Sequence, residues 1–113
     1  MSAITNFANL VRELRKLREL TQEELAHRTG RSVDAISQWE RGINWPNFET
    51  LILLGEALNV PVTAFFVEAG DGQSQDRVNT EMRALALLRD LSDDDLLIAI
   101  DQIKALSRRK IGK

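Results

Sequence analysis

Between residues 21 and 42 the chain carries two stretches of about two helical turns each, and both are punctuated at start and end. Thr21 stands three residues before Glu24, the pattern in which hydroxyl and carboxylate each cap the other residue's backbone N–H. The spacing predicts a helix over Gln22–Arg28 with Leu25 and Ala26 facing inward. Gly30 ends it, because a residue without Cβ suits the left-handed conformation that closes many helices. Ser32 is the next N-cap, and a second helix is expected from Val33 to about Arg41, closed by Gly42. Few arrangements accept two helices this short joined this tightly. A helix-turn-helix does, with a small residue at the turn and an apolar clamp, here Leu25, Ile36 and Trp39. In that motif the second helix projects its N-terminal end into a DNA major groove while the first lies over the backbone. Periodicity alone fits an ordinary helical bundle equally well.

The rest of the chain also reads as all-α. β-Branched residues never alternate with polar ones over a strand length, whereas Leu, Ala, Glu, Arg and Gln crowd the i, i+3, i+4 pattern. A first helix is expected from about Asn6 to Arg18, with Phe7, Leu10, Val11, Leu14 and Leu17 on one face. After the loop Ile43-Asn44-Trp45, Pro46 favours an extended backbone at Trp45, and Asn47 caps a helix over Phe48–Leu58. Pro61 sits where a short fifth helix would begin, carrying Phe65 and Phe66. Residues 70–76 contain no apolar side chain and read as a linker. Two more helical patterns follow: about Arg77 to Arg89, with Val78, Met82 and Leu85 on a face, and from the Ser92 cap to about Arg109, with Leu96, Ile100, Ile103 and Leu106 on a face. The expected organisation is thus residues 1–69 as one domain, a linker over 70–76, and a helical hairpin over 77–113.

Composition excludes more than it assigns. With no cysteine there are no disulfides, thiolate zinc sites or cysteine nucleophiles. Apolar runs are too short to cross a bilayer, no basic-then-apolar leader opens the chain, and the expected compartment is the cytoplasm. The formal net charge of −2 argues against nucleic-acid binding through bulk positive charge, but not against a few directed contacts. There is no phosphate-cradling glycine loop, no His-rich metal spacing and no Ser or Lys beside a ready base, so neither an enzyme nor a cofactor or metal is expected.

The residues then become specific. Leu14-Arg15, Leu20-Thr21-Gln22-Glu23-Glu24-Leu25-Ala26, Gly30, Ile36-Ser37, Glu40-Arg41-Gly42, Pro46 and Leu58-Asn59-Val60 stand in one order with family-like spacing. In this the chain resembles the lambda-repressor-like, Cro-type (xenobiotic-response-element) helix-turn-helix family of bacterial and phage regulators, over about residues 6–67. The resemblance implies a five-helix DNA-binding domain. It implies that Gln22 bonds a phosphate and braces recognition-helix side chains. It places Val33, Asp34, Ser37 and Gln38 at the base-reading positions, and Arg41 with Asn44 and Trp45 in the segment that grips the backbone. Arg15 and Glu40 match a structural ion pair. Gln38 is the best direct reader, since its amide can bond adenine N6 and N7 together.

Departures from the pattern are equally specific. Arg31 stands where the family usually has an aliphatic residue, so it is expected, with Ser32, at the DNA backbone. Glu19 replaces a common glycine. Asp34 either accepts from cytosine N4 or merely favours its helix N-terminus; the sequence does not choose. Trp45 either packs under its loop or lies against sugar-phosphate.

Blander readings hold elsewhere. The lone His27 is surface decoration, and Asp93, Asp94 and Asp95 offset the dipole of the helix they open. The basic tail of Arg108, Arg109, Lys110 and Lys113 complements the end of its own helix. Two helices of this length are marginal alone, so the 77–113 hairpin is expected to pack against a second copy through Val78, Met82, Leu85, Leu96, Ile100, Ile103 and Leu106. The reading is a sequence-specific transcriptional repressor that binds double-stranded DNA as a homodimer. The alternative is a protein–protein regulator of antitoxin or anti-regulator type that binds a partner through its C-terminal helices.

Overall fold

A computed structural model describes residues 2–111, with side chains through Arg109. Lys113 and the side chain of Lys110, both counted in the basic tail, lie outside the described residues. Helix α1 (Ala3–Leu17) begins three residues earlier than its apolar pattern suggests, because Ser2 accepts the Thr5 N–H and caps it. It is followed by α2 (Gln22–Thr29), α3 (Val33–Glu40) and α4 (Phe48–Leu58), then a 3-10 turn over Val62–Phe66, then α5 (Gln75–Leu88) and α6 (Asp93–Ile111). The described residues contain no strand. The fifth short helix expected after Pro61 is that 3-10 turn.

The caps explain the segmentation. Thr21 N donates to Glu24 Oε1 at 3.0 Å and Glu24 N to Thr21 Oγ1 at 3.1 Å, a reciprocal capping box that fixes the start of α2. Four left-handed residues, Glu19, Gly30, Gly42 and Asn59, turn the chain after α1, α2, α3 and α4. At all four, the next residue donates back across the last turn, Leu20 N to Arg15 O, Arg31 N to Ala26 O, Ile43 N to Gln38 O and Val60 N to Gly55 O, each at 3.0 Å. This closure satisfies carbonyls that the helix end would leave unpaired.

Helix α1 runs through the middle of the core, packed against α3, α4, α5 and the 3-10 turn. Phe7, Val11 and Leu14 from α1, Leu25 from α2, Ile36 from α3 and Leu54 and Leu58 from α4 are fully buried. Each such side chain contributes roughly 1.5–3 kcal/mol of transfer free energy.

The C-terminal region departs from the expected hairpin. Helix α5 starts at Gln75 on a Ser74 cap, inside the expected linker, and packs along α1. Val78 and Ala86 are buried, Ala86 within the main core, and Met82 packs against that core. Gln75 lines a surface cleft with Asn6, while Asp90 bonds Arg18, so α5 runs beside α1 in the same direction. Asp90 is the anchor: its Oδ2 accepts from Arg18 Nη1 at 2.7 Å and its Oδ1 from Asn59 Nδ2 at 2.7 Å. Val78 is therefore in the protomer's interior and not at a surface offered to a second copy, which corrects that part of the dimerisation expectation; Leu85 is half-buried beside it. The physical reason lies in α1, whose apolar arc is wider than α3 and α4 cover.

Helix α6 behaves differently. Leu96 is half-buried, but Leu97, Ile98, Ile100, Ile103 and Leu106 are exposed. Asp93, Asp94 and Asp95 occupy its first turn. Among the described residues no helix is long and apolar enough to cross a membrane, and no group of His, Asp and Glu is arranged to hold a metal ion.

Candidate nucleic-acid interface

Helix α3 divides cleanly into two faces. Ile36, Trp39 and Glu40 are buried, whereas Val33 and Asp34 are exposed and Ser37 and Gln38 half-exposed. Positions 33, 34, 37 and 38 share one side because residues four apart sit one turn above each other. The helix N-terminus that carries the first pair is set by Ser32, whose Oγ accepts from Ala35 N at 3.1 Å. Its hydroxyl proton remains available to an external acceptor. Asp34 lies in the first turn and forms no ion pair among the described residues, which places it at the favourable end of the dipole.

Beneath that surface sits a buried polar hub. Glu40 is only 3% exposed, yet its carboxylate is fully engaged. Arg15 Nε donates to Oε2 at 2.6 Å and Arg15 Nη2 to Oε1 at 2.9 Å, a bidentate pair that ties α1 to α3. Hydrogen bonding to Glu40 raises the Arg15 pKa above its ordinary value. Gln22 Nε2 adds a third donor to Oε1 at 3.2 Å, so the first residue of α2 is braced from below. One amide N–H of Gln22 is committed to this hub, and its second faces no described partner. Arg15 Nη1 also donates to Leu20 O, and Arg12 Nη1 donates to Glu40 O at 2.9 Å. The Arg12 contact was not anticipated from sequence; only its position three residues before Arg15, one turn away along α1, hints at it.

The segment after α3 folds back on it. Arg41 is exposed, and its Nε donates to Ser37 O and Oγ at 3.3 Å. Asn44 Nδ2 donates to Gln38 Oε1 at 2.9 Å. The Trp45 ring stacks on Phe66, with centroids 6.0 Å apart, and lies 4.9 Å from Phe7, which is the packing arrangement of the two its sequence allowed. Arg31 likewise turns inward: its Nε donates to buried Thr50 Oγ1 at 3.0 Å, and Nη1 reaches Thr29 O and Gly30 O. An arginine in place of an aliphatic residue here packs between α2 and α4 and keeps only Nη2 for an external anion. His27 is exposed and distant in role from all of these contacts.

The arrangement can present hydroxyl and amide groups from α3 to base edges while the flanking segments hold phosphates. Comparison with known proteins agrees with it. The chain is 27% identical over 108 residues to the cryptic phage CTXphi transcriptional repressor RstR of Vibrio cholerae, spanning 95% of this chain and 96% of that protein. No solved structure gives a significant match. The family described as Helix-turn-helix matches residues 11–65, the segment that holds the Arg15–Glu40 pair, both capped helices and the turn between them. On that match and that geometry, residues 11–65 form a helix-turn-helix domain of the kind that DNA-binding transcriptional regulators carry.

Proposed function

We propose that the chain is a sequence-specific repressor that binds a pseudo-palindromic operator in double-stranded DNA as a homodimer and acts by covering the site against polymerase, in the cytoplasm. The observation that carries this reading is the polar outer face of α3, braced from beneath by the Glu40 hub. Val33, Asp34, Ser37 and Gln38 are the base-reading set; Gln22, Ser32, Arg41 and Asn44, with the Nη2 of Arg31, serve the backbone, and Trp45 shapes the loop that carries Asn44. With a net charge of −2, affinity rests on a few local phosphate contacts, each adding roughly 0.9 to the slope of log K against log salt. The similarity to a phage repressor over almost its full length supports the repressor assignment.

Dimerisation is supported by α6, whose Leu97, Ile100, Ile103 and Leu106 are exposed in the protomer. Contiguous apolar residues of this kind mark an association surface. One recognition helix reads too few bases for an operator, whereas two held about 34 Å apart read successive major grooves.

In-vitro selection from random-sequence DNA, with sedimentation of the free protein, tests the reading. The expected result is an inverted repeat bound by a dimer. Failure to recover any preferred sequence would remove the repressor assignment. It would leave the protein–protein regulator, the second reading that the apolar face of α6 favours.

A further inference from the structure

We infer that Asn44 is a positioning residue for sequence discrimination: it holds the Gln38 amide in place over the groove-facing side of α3, and thereby sharpens the base choice that Gln38 makes. The inference rests on the DNA-reading function proposed above. Asn44 is otherwise expected only among residues that grip phosphates, contacts that carry no sequence information.

The local chain path brings the two side chains together. Gly42 takes φ 71°, and the reversal it permits is locked by Ile43 N donating to Gln38 O at 3.0 Å. Two residues on, Asn44 Nδ2 donates to Gln38 Oε1 at 2.9 Å. Among the described residues Gln38 Nε2 has no partner.

A glutamine amide is nearly symmetric in shape, and its two orientations differ in which end donates. Reading adenine demands one of them, with Nε2 donating to N7 and Oε1 accepting from N6. A carbonyl oxygen has two lone pairs, so Oε1 can hold Asn44 and adenine N6 together. Turned over, the Gln38 amide keeps this bond if the exposed Asn44 amide turns with it, so the bond pins the position of the Gln38 side chain in either orientation, roughly two- to tenfold in population over an untethered one.

The test uses the full chain and three proteins: wild type, Asn44→Ala and Gln38→Ala. DNA selected by the wild type is re-assayed by anisotropy with every base substituted at each position, together with a random duplex. Asn44→Ala is expected to lower discrimination roughly two- to tenfold at the same base pair that Gln38→Ala affects. Discrimination elsewhere and the melting temperature should stay unchanged, and the loss on the random duplex, from the backbone contact, should be smaller than the loss at that pair. Asn44→Asp, which attracts Nε2 and turns the amide round, should move the preference at that pair away from adenine. If Asn44→Ala instead weakens every duplex equally and lowers the salt slope, Asn44 is a phosphate contact alone and the inference is overturned. If the wild type selects no consensus at all, the DNA-reading function itself falls, and this inference with it.

Discussion

Replacing Arg15 with Ala should destabilise the fold more than any other exposed-to-buried charge change in the helix-turn-helix. The guanidinium makes two charge-assisted bonds to a carboxylate that is 3% exposed, and a third to the Leu20 carbonyl. Charge-assisted bonds contribute roughly 1.5–3 kcal/mol each, and removing one partner of a buried pair costs about 3–5 kcal/mol because the other charge is stranded. Gln22 still donates to Glu40, and Arg15 is itself 13% exposed, so water can partly replace it. The expected loss is therefore near the bottom of that range, about 3 kcal/mol. For a domain whose total stability is of order 5–15 kcal/mol, this lowers Tm by about 10–20 °C. Urea denaturation followed by far-UV circular dichroism measures it. The sharper arm is the double variant Arg15→Met, Glu40→Leu. It removes both charges and fills their volume, so it should be more stable than Arg15→Ala even though it carries two substitutions. A loss below about 1 kcal/mol for Arg15→Ala, within the range of a surface pair, would refute the reasoning, as would a double variant whose cost equals the sum of the singles.

Three further outcomes are expected. Glu19 holds φ 56°, a conformation that costs a residue with Cβ roughly 1–2 kcal/mol; Glu19→Gly relieves it against about 0.4–1 kcal/mol of added unfolded-state entropy, so the urea midpoint should rise. Gly55→Ala should destabilise by about 1–3 kcal/mol despite alanine's better helix propensity, because the new Cβ would stand 2.7 Å from the Val60 carbonyl oxygen; a midpoint at or above wild type would show that the α4 end can yield. Glu24 accepts the Thr21 backbone N–H and then its hydroxyl, which hold its carboxyl below the ordinary glutamate pKa. Its contribution is present above that ordinary value and drains away as pH falls through the lowered one, so Glu24→Gln should show a shallower fall in Tm on acidification than wild type.

Much of the site was legible because it is written in local chemistry. Thr21 with Glu24, Gly30, Ser32 and Gly42 act within a few residues of themselves, so cap and turn spacing alone marks where α2 and α3 begin and end. The bidentate Arg15–Glu40 pair spans 25 positions and came from resemblance, since no periodicity links a charged residue on one helix to a buried one on another. The destination of α5 was illegible for the same reason. Its apolar stripe announces a partner without naming it, and the polar stretch before it suggested a separate module. What seats it on α1 is Asp90 taking up Arg18, 72 positions away, together with the fit of Ala86 into the core. Arg31 shows the converse limit: a charged side chain in an aliphatic position suggested a DNA phosphate, and a single hydroxyl on Thr50 drew it inward.

The seat of α5 has a practical corollary for anyone trimming this protein. A fragment cut at residue 65, where the family match stops, would leave α1 without the helix packed along it and the Asn59 amide without Asp90. The smallest piece expected to survive by itself runs through about Leu91, so the unit that folds is longer than the unit that defines the lineage.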